Sequence, residues 1–184
     1  MNAIVIAPNL ATEDELWVLS HDGYRFELWD GELKAMSPAG AEHGALIADV
    51  SAEVGHFVLL SNLGQCFGAG TGFRISENPA TVLAPDFAFI RKERVSNPLP
   101  QKFVPVVPDL VLEVRSPGDT AREVADKIAR WLDAGTCIVW ELNPRTRKLT
   151  VFRPDVPSVE LGENDTLDAQ PLLPGWSLEL KRIL

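Results

Sequence analysis

Two carboxylates and one lysine have the types and spacing that phosphate chemistry requires. Asp86 stands at the beginning of one apolar run, and Glu113 lies inside another, which spans residues 110–115. A charge in such a run is costly unless a metal ion or an inward-facing lysine pairs with it. Two converging carboxylates, with a backbone carbonyl and waters, make the oxygen-rich site that Mg²⁺ prefers, and bound Mg²⁺ polarises a phosphodiester and lowers the pKa of its water.

The lysine is Lys127, in a segment with helical periodicity that follows Glu113. At about 100° per residue, four residues of this segment share one apolar arc: Val124, Ile128, Trp131 and Leu132. Lys127 lies at the edge of the arc, roughly 40° from Trp131 by the same geometry. A lysine at this buried margin is well placed to contact a phosphate or a nucleophile.

Each of these residues also has a structural interpretation, and the residues alone leave it open. Glu113 could be a buried carboxylate that pairs with Arg115 or Lys127 only for stability. Asp86 could simply begin a strand, and Lys127 could extend its charge to solvent along an apolar surface. Asp109, which follows a proline, is interpreted as a structural residue at the beginning of a strand rather than a ligand.

The elements that must position these residues follow from periodicity and turn signals. The predicted helices span residues 12–19, which open with the capping box of Thr12 and Glu15, then 41–60 and 120–134. The predicted strands span 24–29, 32–36, 65–75, 83–90, 110–115, 137–142 and 148–152, followed by short strands in the tail. This order predicts a single domain over residues 1–184, of α/β (α+β) class, with a mixed central sheet packed by two principal helices.

Composition narrows the classes of function. The net charge of −9 weighs against a broad basic surface for nucleic acid, although bound divalent cations can supply local positive charge. Cys66 and Cys137 lie far apart in apolar surroundings, which predicts free thiols rather than a zinc site or a disulfide. No apolar run approaches the roughly 20 residues of a membrane span, and no signal peptide is evident, so we expect no membrane and a cytoplasmic location.

Three segments together resemble a known family. They are APDFAFI at 84–90, PDLVLEVRSPGD at 108–119 and WLDAGTCIVWELNP at 131–144. They are similar to the bacterial restriction endonuclease family of the Uma-two type, in the PD-(D/E)XK nuclease superfamily. The resemblance extends to residues 25–33, to the region of Ser37 and His43, and to the tail at 172–176. It implies a restriction-endonuclease-like three-layer core.

The resemblance also implies roles for individual residues. Asp86 and Glu113 become ligands of Mg²⁺ or Mn²⁺, and Lys127 becomes the catalytic lysine of a metal-dependent endonuclease. Arg115 occupies the position of the superfamily's E-x-K lysine, which is a departure. An arginine stays charged and cannot act as a base, but it can stabilise phosphate charge, so Arg115 is a secondary candidate.

Three further residues are secondary candidates under the same resemblance. Glu27 and Glu32 of the N-terminal hairpin are possible additional acids. His43 begins the long helix near the place where an upstream acidic residue often lies. DNA as the substrate comes from the resemblance, and a homodimer is expected because such nucleases often pair to cut both strands. The alternatives are a non-catalytic binding or assembly module that retains the fold and a hydrolase acting on a small phosphate ester.

Overall fold

The computed structural model describes residues 11–22 and 25–184 of the chain. The helices are α1 (Glu13–His21), α2 (Ala41–Ser61) and α3 (Ala121–Asp133). The first seven strands are β1 (Phe26–Trp29), β2 (Glu32–Ala35), β3 (Gly64–Gly68), β4 (Phe73–Glu77), β5 (Ala80–Leu83), β6 (Phe87–Arg91) and β7 (Leu110–Val114). The remaining strands are β8 (Ile138–Asn143), β9 (Lys148–Phe152), β10 (Val159–Gly162), β11 (Thr166–Asp168) and β12 (Ser177–Glu179). Tyr24, predicted to begin the first strand, lies outside the described residues.

The central sheet is mixed, as predicted. Its six strands run in the order β10-β9-β8-β7-β6-β3, and β7 and β8 are its one parallel pair within the described chain. A parallel pair requires a crossover, and α3 supplies it. A four-stranded antiparallel sheet, β2-β1-β5-β4, stands beside the central sheet, and β11 and β12 form a ribbon.

The alternation of side chains along β7 divides the core into two layers. Leu110, Leu112 and Val114 pack in the same cluster as α2. Val111, on the opposite face, packs in a second cluster with Trp131 of α3. The sheet is therefore covered by α2 on one face and α3 on the other, the three-layer arrangement expected from the sequence.

The helix α2 owes its position to one apolar stripe. Its buried residues are His43, Leu46, Val50, Val54 and Val58. Their three- and four-residue spacing places them on one side of the helix, against the sheet. Among the described helices, α2 alone has the length and apolar composition that a membrane crossing needs. The buried stripe packs on the central sheet, and the other residues of the helix are half-buried or exposed.

Two predicted strands are each divided in the structure, and this is a correction. The predicted strand 65–75 becomes β3 and β4, which belong to different sheets, with Gly70 at a positive φ of 86° between them. The predicted strand 83–90 becomes β5 and β6, separated at Pro85, which has no N–H for a sheet hydrogen bond. The chain therefore leaves the central sheet after β3 and re-enters it at β6, immediately after Asp86.

The hairpin of β1 and β2 is held against α3. Asp30 and Gly31 form the predicted two-residue turn, with positive φ values of 51° and 84°. The Arg130 guanidinium donates to Asp30 Oδ2 at 2.6 Å and lies over the Trp29 ring, 4.9 Å from its centroid. These contacts join residues 100 positions apart and fix β1 beside the helix that carries Lys127.

The two cysteines are free and half-buried, in agreement with the sequence prediction of unpaired thiols. Cys66 lies on β3 and packs against the cluster beneath α2. Burial raises the pKa of its thiol to about 12. The thiol therefore stays protonated at neutral pH and is a poor nucleophile.

Asp109 is fully buried and serves the fold. Its carboxylate accepts hydrogen bonds from the Arg91 backbone N–H at 2.9 Å, from Arg91 Nε at 2.9 Å and from Arg94 Nη1 at 2.5 Å. These bonds tie the beginning of β7 to the end of β6 and to the segment that follows it, so Asp109 is a structural residue, as interpreted from the sequence.

We expect Asp109→Ala to lower the free energy of unfolding by about 2 kcal/mol, because it removes charge-assisted bonds while both arginines can still reach water. Urea denaturation measures this loss. Asp133→Ala, at an exposed position of α3, is the control and should change stability by less than about 0.5 kcal/mol. Equal stability of the two variants would contradict a structural role for Asp109.

Candidate active site

The antiparallel register of β6 and β7 brings Asp86 beside Glu113. Phe87 pairs with Leu112, so the residue before Phe87 faces the residue after Leu112. The Asp86 N–H donates to Leu112 O at 3.1 Å, and Asp86 Oδ2 accepts from the Val114 N–H at 2.7 Å. The aspartate is therefore held by the backbone of the strand that carries Glu113.

The ammonium group of Lys127 joins the central sheet to the four-stranded sheet. Its Nζ lies 2.9 Å from Glu113 Oε2, 2.9 Å from Glu27 Oε1 and 3.3 Å from the Ala84 carbonyl oxygen. An ammonium has three N–H donors, and these three acceptors engage all of them. Glu113 comes from the central sheet, Glu27 from the four-stranded sheet and Lys127 from α3. The structure thus gathers these three residues with Asp86; we call the four the carboxylate–lysine cluster.

Two tryptophans fix the glutamates of the cluster. Trp131 Nε1 donates to Glu113 Oε1 at 2.8 Å, and Trp29 Nε1 donates to Glu27 Oε2 at 2.9 Å. The second Glu27 oxygen also accepts from the Ala84 N–H at 2.8 Å. Each glutamate is therefore held at both oxygens, which restricts its rotamer before any ligand arrives.

The cluster contains more negative than positive charge. Burial raises the pKa of Glu113 to about 8; the Lys127 charge opposes this, and the charges of Asp86 and Glu27 add to it. Burial alone would lower the pKa of Lys127, but the charges of Glu113 and Glu27 overcome burial and raise it. Lys127 therefore remains an ammonium, and Glu113 is the group that takes up a proton as the pH falls.

His43, on α2, lies beside Asp86. Its Nε2 is 2.8 Å from the Val114 carbonyl oxygen and 3.5 Å from Asp86 Oδ2, and the ring is buried. Interaction with Asp86 raises the pKa of His43, against the effect of burial. The ring touches the cluster through Asp86, so the structure brings this secondary candidate to the site.

The structure does not bring Glu32 to the cluster. Its side chain is 72% exposed, and its nearest cation is Lys34, at 4.0 Å. In a strand, side chains alternate between faces, and β2 lies at the edge of its sheet, where this glutamate faces water. The geometry gives this candidate no contact through which it could act on the cluster.

Sequence reasoning missed Glu141, which lies directly beside Glu113 across the parallel pair of β7 and β8. Its side chain is buried and lies 2.9 Å from Arg115 Nε. The only signal was a lone acid inside the apolar run 137–142, the same pattern that singled out Glu113. The side chains of Asp86, Glu113 and Glu141 thus follow one another across three neighbouring strands.

The chemistry of the cluster suits a hard divalent cation. In the described part of the chain, no three His, Cys, Asp or Glu side chains are gathered as a ready-made metal site. Mg²⁺, however, is commonly bound through one or two carboxylates together with waters and substrate phosphates. Asp86 and Glu113 would be those carboxylates, since each carboxylate oxygen can accept more than one contact. A cation would also offset the charges of Asp86 and Glu27, which add to the larger effect of burial in raising the pKa of Glu113.

A mixed sheet between helical layers, with acids on two neighbouring strands and a lysine on the next helix, defines a restriction-endonuclease-like core. The family model Uma2, described as "Putative restriction endonuclease", matches residues 12–181, so the chain belongs to this family. Its fold is similar to the crystal structure, at 1.96 Å resolution, of a putative nuclease belonging to DUF820 from Anabaena variabilis ATCC 29413. The TM-score is 0.77 at 17% identity, over 86% of this chain and 88% of that chain, so the likeness concerns the fold. No curated protein shows a significant match.

Proposed function

We propose that this protein is a metal-dependent endonuclease that hydrolyses DNA phosphodiester bonds by PD-(D/E)XK-type chemistry. The observation that carries the proposal is the Lys127 ammonium, held 2.9 Å from Glu113, which faces Asp86 on the neighbouring strand. Family membership and the nuclease named in the structural comparison support the same reaction class.

Each residue of the cluster has a distinct task in this proposal. Asp86 and Glu113 would hold Mg²⁺ or Mn²⁺, which supplies an activated water and polarises the phosphate. Lys127 is a permanent cation at the buried margin of the site and offsets negative charge that develops on the phosphate. Glu27 positions Lys127, because it accepts from the same ammonium as Glu113, at 2.9 Å.

The substrate, assembly and location are proposed on separate grounds. DNA is supported by the family description, and the acidity of the chain implies that cations at the site must attract the phosphates. A homodimer would present two clusters to the two strands of a duplex. A cytoplasmic location would place the protein with its proposed substrate.

Plasmid cleavage tests the proposal. Supercoiled plasmid is incubated with the protein in Mg²⁺, in Mn²⁺ and in chelator, and nicked and linear products are measured. We expect cleavage only with metal, and Asp86→Asn should lower its rate by about a hundredfold or more, because a metal ligand is lost. Asp49→Asn, at an exposed position of α2, is the matched control and should cleave like the parent.

The alternative is a binding module that retains the fold without turnover. Calorimetry with Mn²⁺ separates the two cases. Cleavage by the parent that Asp86→Asn leaves unchanged would show that the activity comes from elsewhere. Absence of both cleavage and Mn²⁺ binding near neutral pH would favour the non-catalytic module.

A further inference from the structure

Arg115 and Glu141 form an unusual pair beside the carboxylate–lysine cluster. Arg115 lies two residues after Glu113, so both side chains leave the same face of the central sheet. Glu141 is buried, whereas the Arg115 side chain is 27% exposed. The pair therefore extends from the core toward solvent at the end of β7.

The contact between them has the distance of an ion pair but not the geometry of a hydrogen bond. Arg115 Nε is 2.9 Å from Glu141 Oε1, yet both atoms are buried without a hydrogen-bond partner among the described residues. A pair that serves only stability needs good geometry and further hydrogen bonds to repay the cost of burial. This pair lacks them, so its contribution to the fold does not explain why two charges are kept here.

The outer nitrogens of the Arg115 guanidinium have no protein partner in the described part of the chain. Within residues 11–22 and 25–184, neither terminal nitrogen of Arg115 donates to a protein acceptor. An arginine whose inner nitrogen lies beside a carboxylate, and whose two outer nitrogens have no partner among the described residues, presents the planar fork that binds phosphate oxygens.

A groove leads to this fork. Arg115 and Glu141 line a cavity of about 250 Å³ together with residues of α3 and Phe152. Ala121, the first residue of α3, is part of its wall. This helix end is already capped, because the Thr120 hydroxyl accepts from the Glu123 N–H and the Glu123 carboxylate accepts from the Thr120 N–H. Anion binding in the groove therefore depends on Arg115, the one cation among the described residues that line it.

We propose that Arg115 binds a backbone phosphate of the substrate strand next to the phosphate at Lys127, and that Glu141 positions its guanidinium. The proposal rests on the proposed function, because it assigns a second contact to the same substrate. It separates the two cations by role: Lys127 acts on the reacting phosphate, and Arg115 holds the neighbouring one. Two residues of strand, roughly 6.6 Å, separate Arg115 from Glu113.

The test is binding of a short fluorescent DNA duplex, followed by anisotropy over a salt series in Ca²⁺ and in chelator. Arg115→Ala should weaken binding about tenfold and reduce the salt slope by about one, because one charged phosphate contact is lost. Arg122→Ala is the matched control: it removes an equal charge from α3, but its side chain is 91% exposed, and its one ion pair among the described residues is with Asp126. It should retain the parent's salt slope.

Because Arg115→Ala leaves the buried Glu141 without its cation, the double variant Arg115→Met/Glu141→Met is measured beside it. The double variant has no unpaired buried charge and should fold, yet it should bind DNA as weakly as Arg115→Ala. Parent-like affinity and salt slope in this folded double variant would overturn the proposal and make the pair purely structural.

The kinetic readout distinguishes this inference from the proposed function. If Arg115 only binds the neighbouring phosphate, the double variant should raise KM about tenfold with little change in kcat. If the parent cleaves plasmid and the double variant has an unchanged KM, the role of Arg115 is refuted and the proposed function is not. A parent that binds duplex through Arg115 but does not cleave would refute the proposed function and leave the phosphate contact in place.

Discussion

Replacing Lys127 by methionine is expected to slow cleavage by about a hundredfold to a thousandfold and to destabilise the protein. Methionine keeps much of the side chain's volume but removes the cation that faces Glu113 and Glu27. Loss of a positioned cation at the reacting phosphate lowers rates by about 10²–10³-fold. Loss of the cation leaves the Glu27 and Glu113 side chains without their shared partner, which costs about 3 kcal/mol in the free energy of unfolding at pH 8.

The two effects are separated by measuring cleavage at a temperature where the variant is folded, as verified by circular dichroism. Lys181→Met is the control, because Lys181 is exposed and its one ion pair in the described part of the chain is with Glu179. It should match the parent in both measurements. A folded Lys127→Met variant that cleaves plasmid at the parent's rate would exclude Lys127 from the chemistry, whatever its effect on stability.

Without metal, the protein should become less stable as the pH rises from 5 to 8. The pKa of Glu113 is raised from an ordinary value near 4.5 to about 8, so in this range the folded state holds a proton that the unfolded state has released. Stability from such a group is complete at low pH and is lost as the pH rises through the folded pKa. We expect Glu113 to account for about 3 kcal/mol of the decline.

Urea denaturation of the parent and of Glu113→Gln over this pH range measures that contribution. Glutamine does not titrate, so the variant should lose most of the slope and retain only the part that comes from His43, whose raised pKa has the same sign. Glu42→Gln, at an exposed position of α2, should keep the parent's slope. Equal slopes in the parent and Glu113→Gln would contradict the assignment.

Saturating Mn²⁺ should reverse the pH dependence of stability in the parent, so that stability rises with pH. A metal binds the ionised carboxylate, so its affinity rises as Glu113 loses its proton, and binding to the folded state adds stability. Glu113→Gln should show no such reversal. A parent whose stability falls with pH equally with and without Mn²⁺ would argue against Glu113 as a ligand.

Much of the fold could be predicted because periodicity reports burial directly. The apolar stripe of α2 was visible because it matches the helical period. The lone acid in β7 was visible because it interrupts an apolar run. The second sheet could not be predicted, because β4 and β5 are short and their apolar residues continue the patterns of β3 and β6. Proline and glycine marked the breaks, but not that the chain would change sheets there.

The candidate site shows the same division. Helix geometry placed Lys127 at the margin of the apolar arc. The expectation that consecutive strands are neighbours predicted that Asp86 and Glu113 lie side by side. The contact between Lys127 and Glu27 depends on how the hairpin docks, which no local pattern encodes. The contact of Trp131 with Glu113 was not predicted for another reason. A tryptophan in an apolar arc is interpreted as a core residue, and the pattern does not indicate that its indole N–H donates to a carboxylate.

The docking of the hairpin onto α3 has a consequence for when activity can arise. Arg130 and Asp30 are 100 positions apart, and the same junction unites Lys127 with Glu27. Contacts so distant in sequence form after the local helices and hairpins, because closing the long intervening loop is entropically costly. A chain still leaving the ribosome, or one partly unfolded, would therefore carry all the acids without the assembled cluster. Competence to act on a phosphodiester would then be restricted to chains that have finished folding.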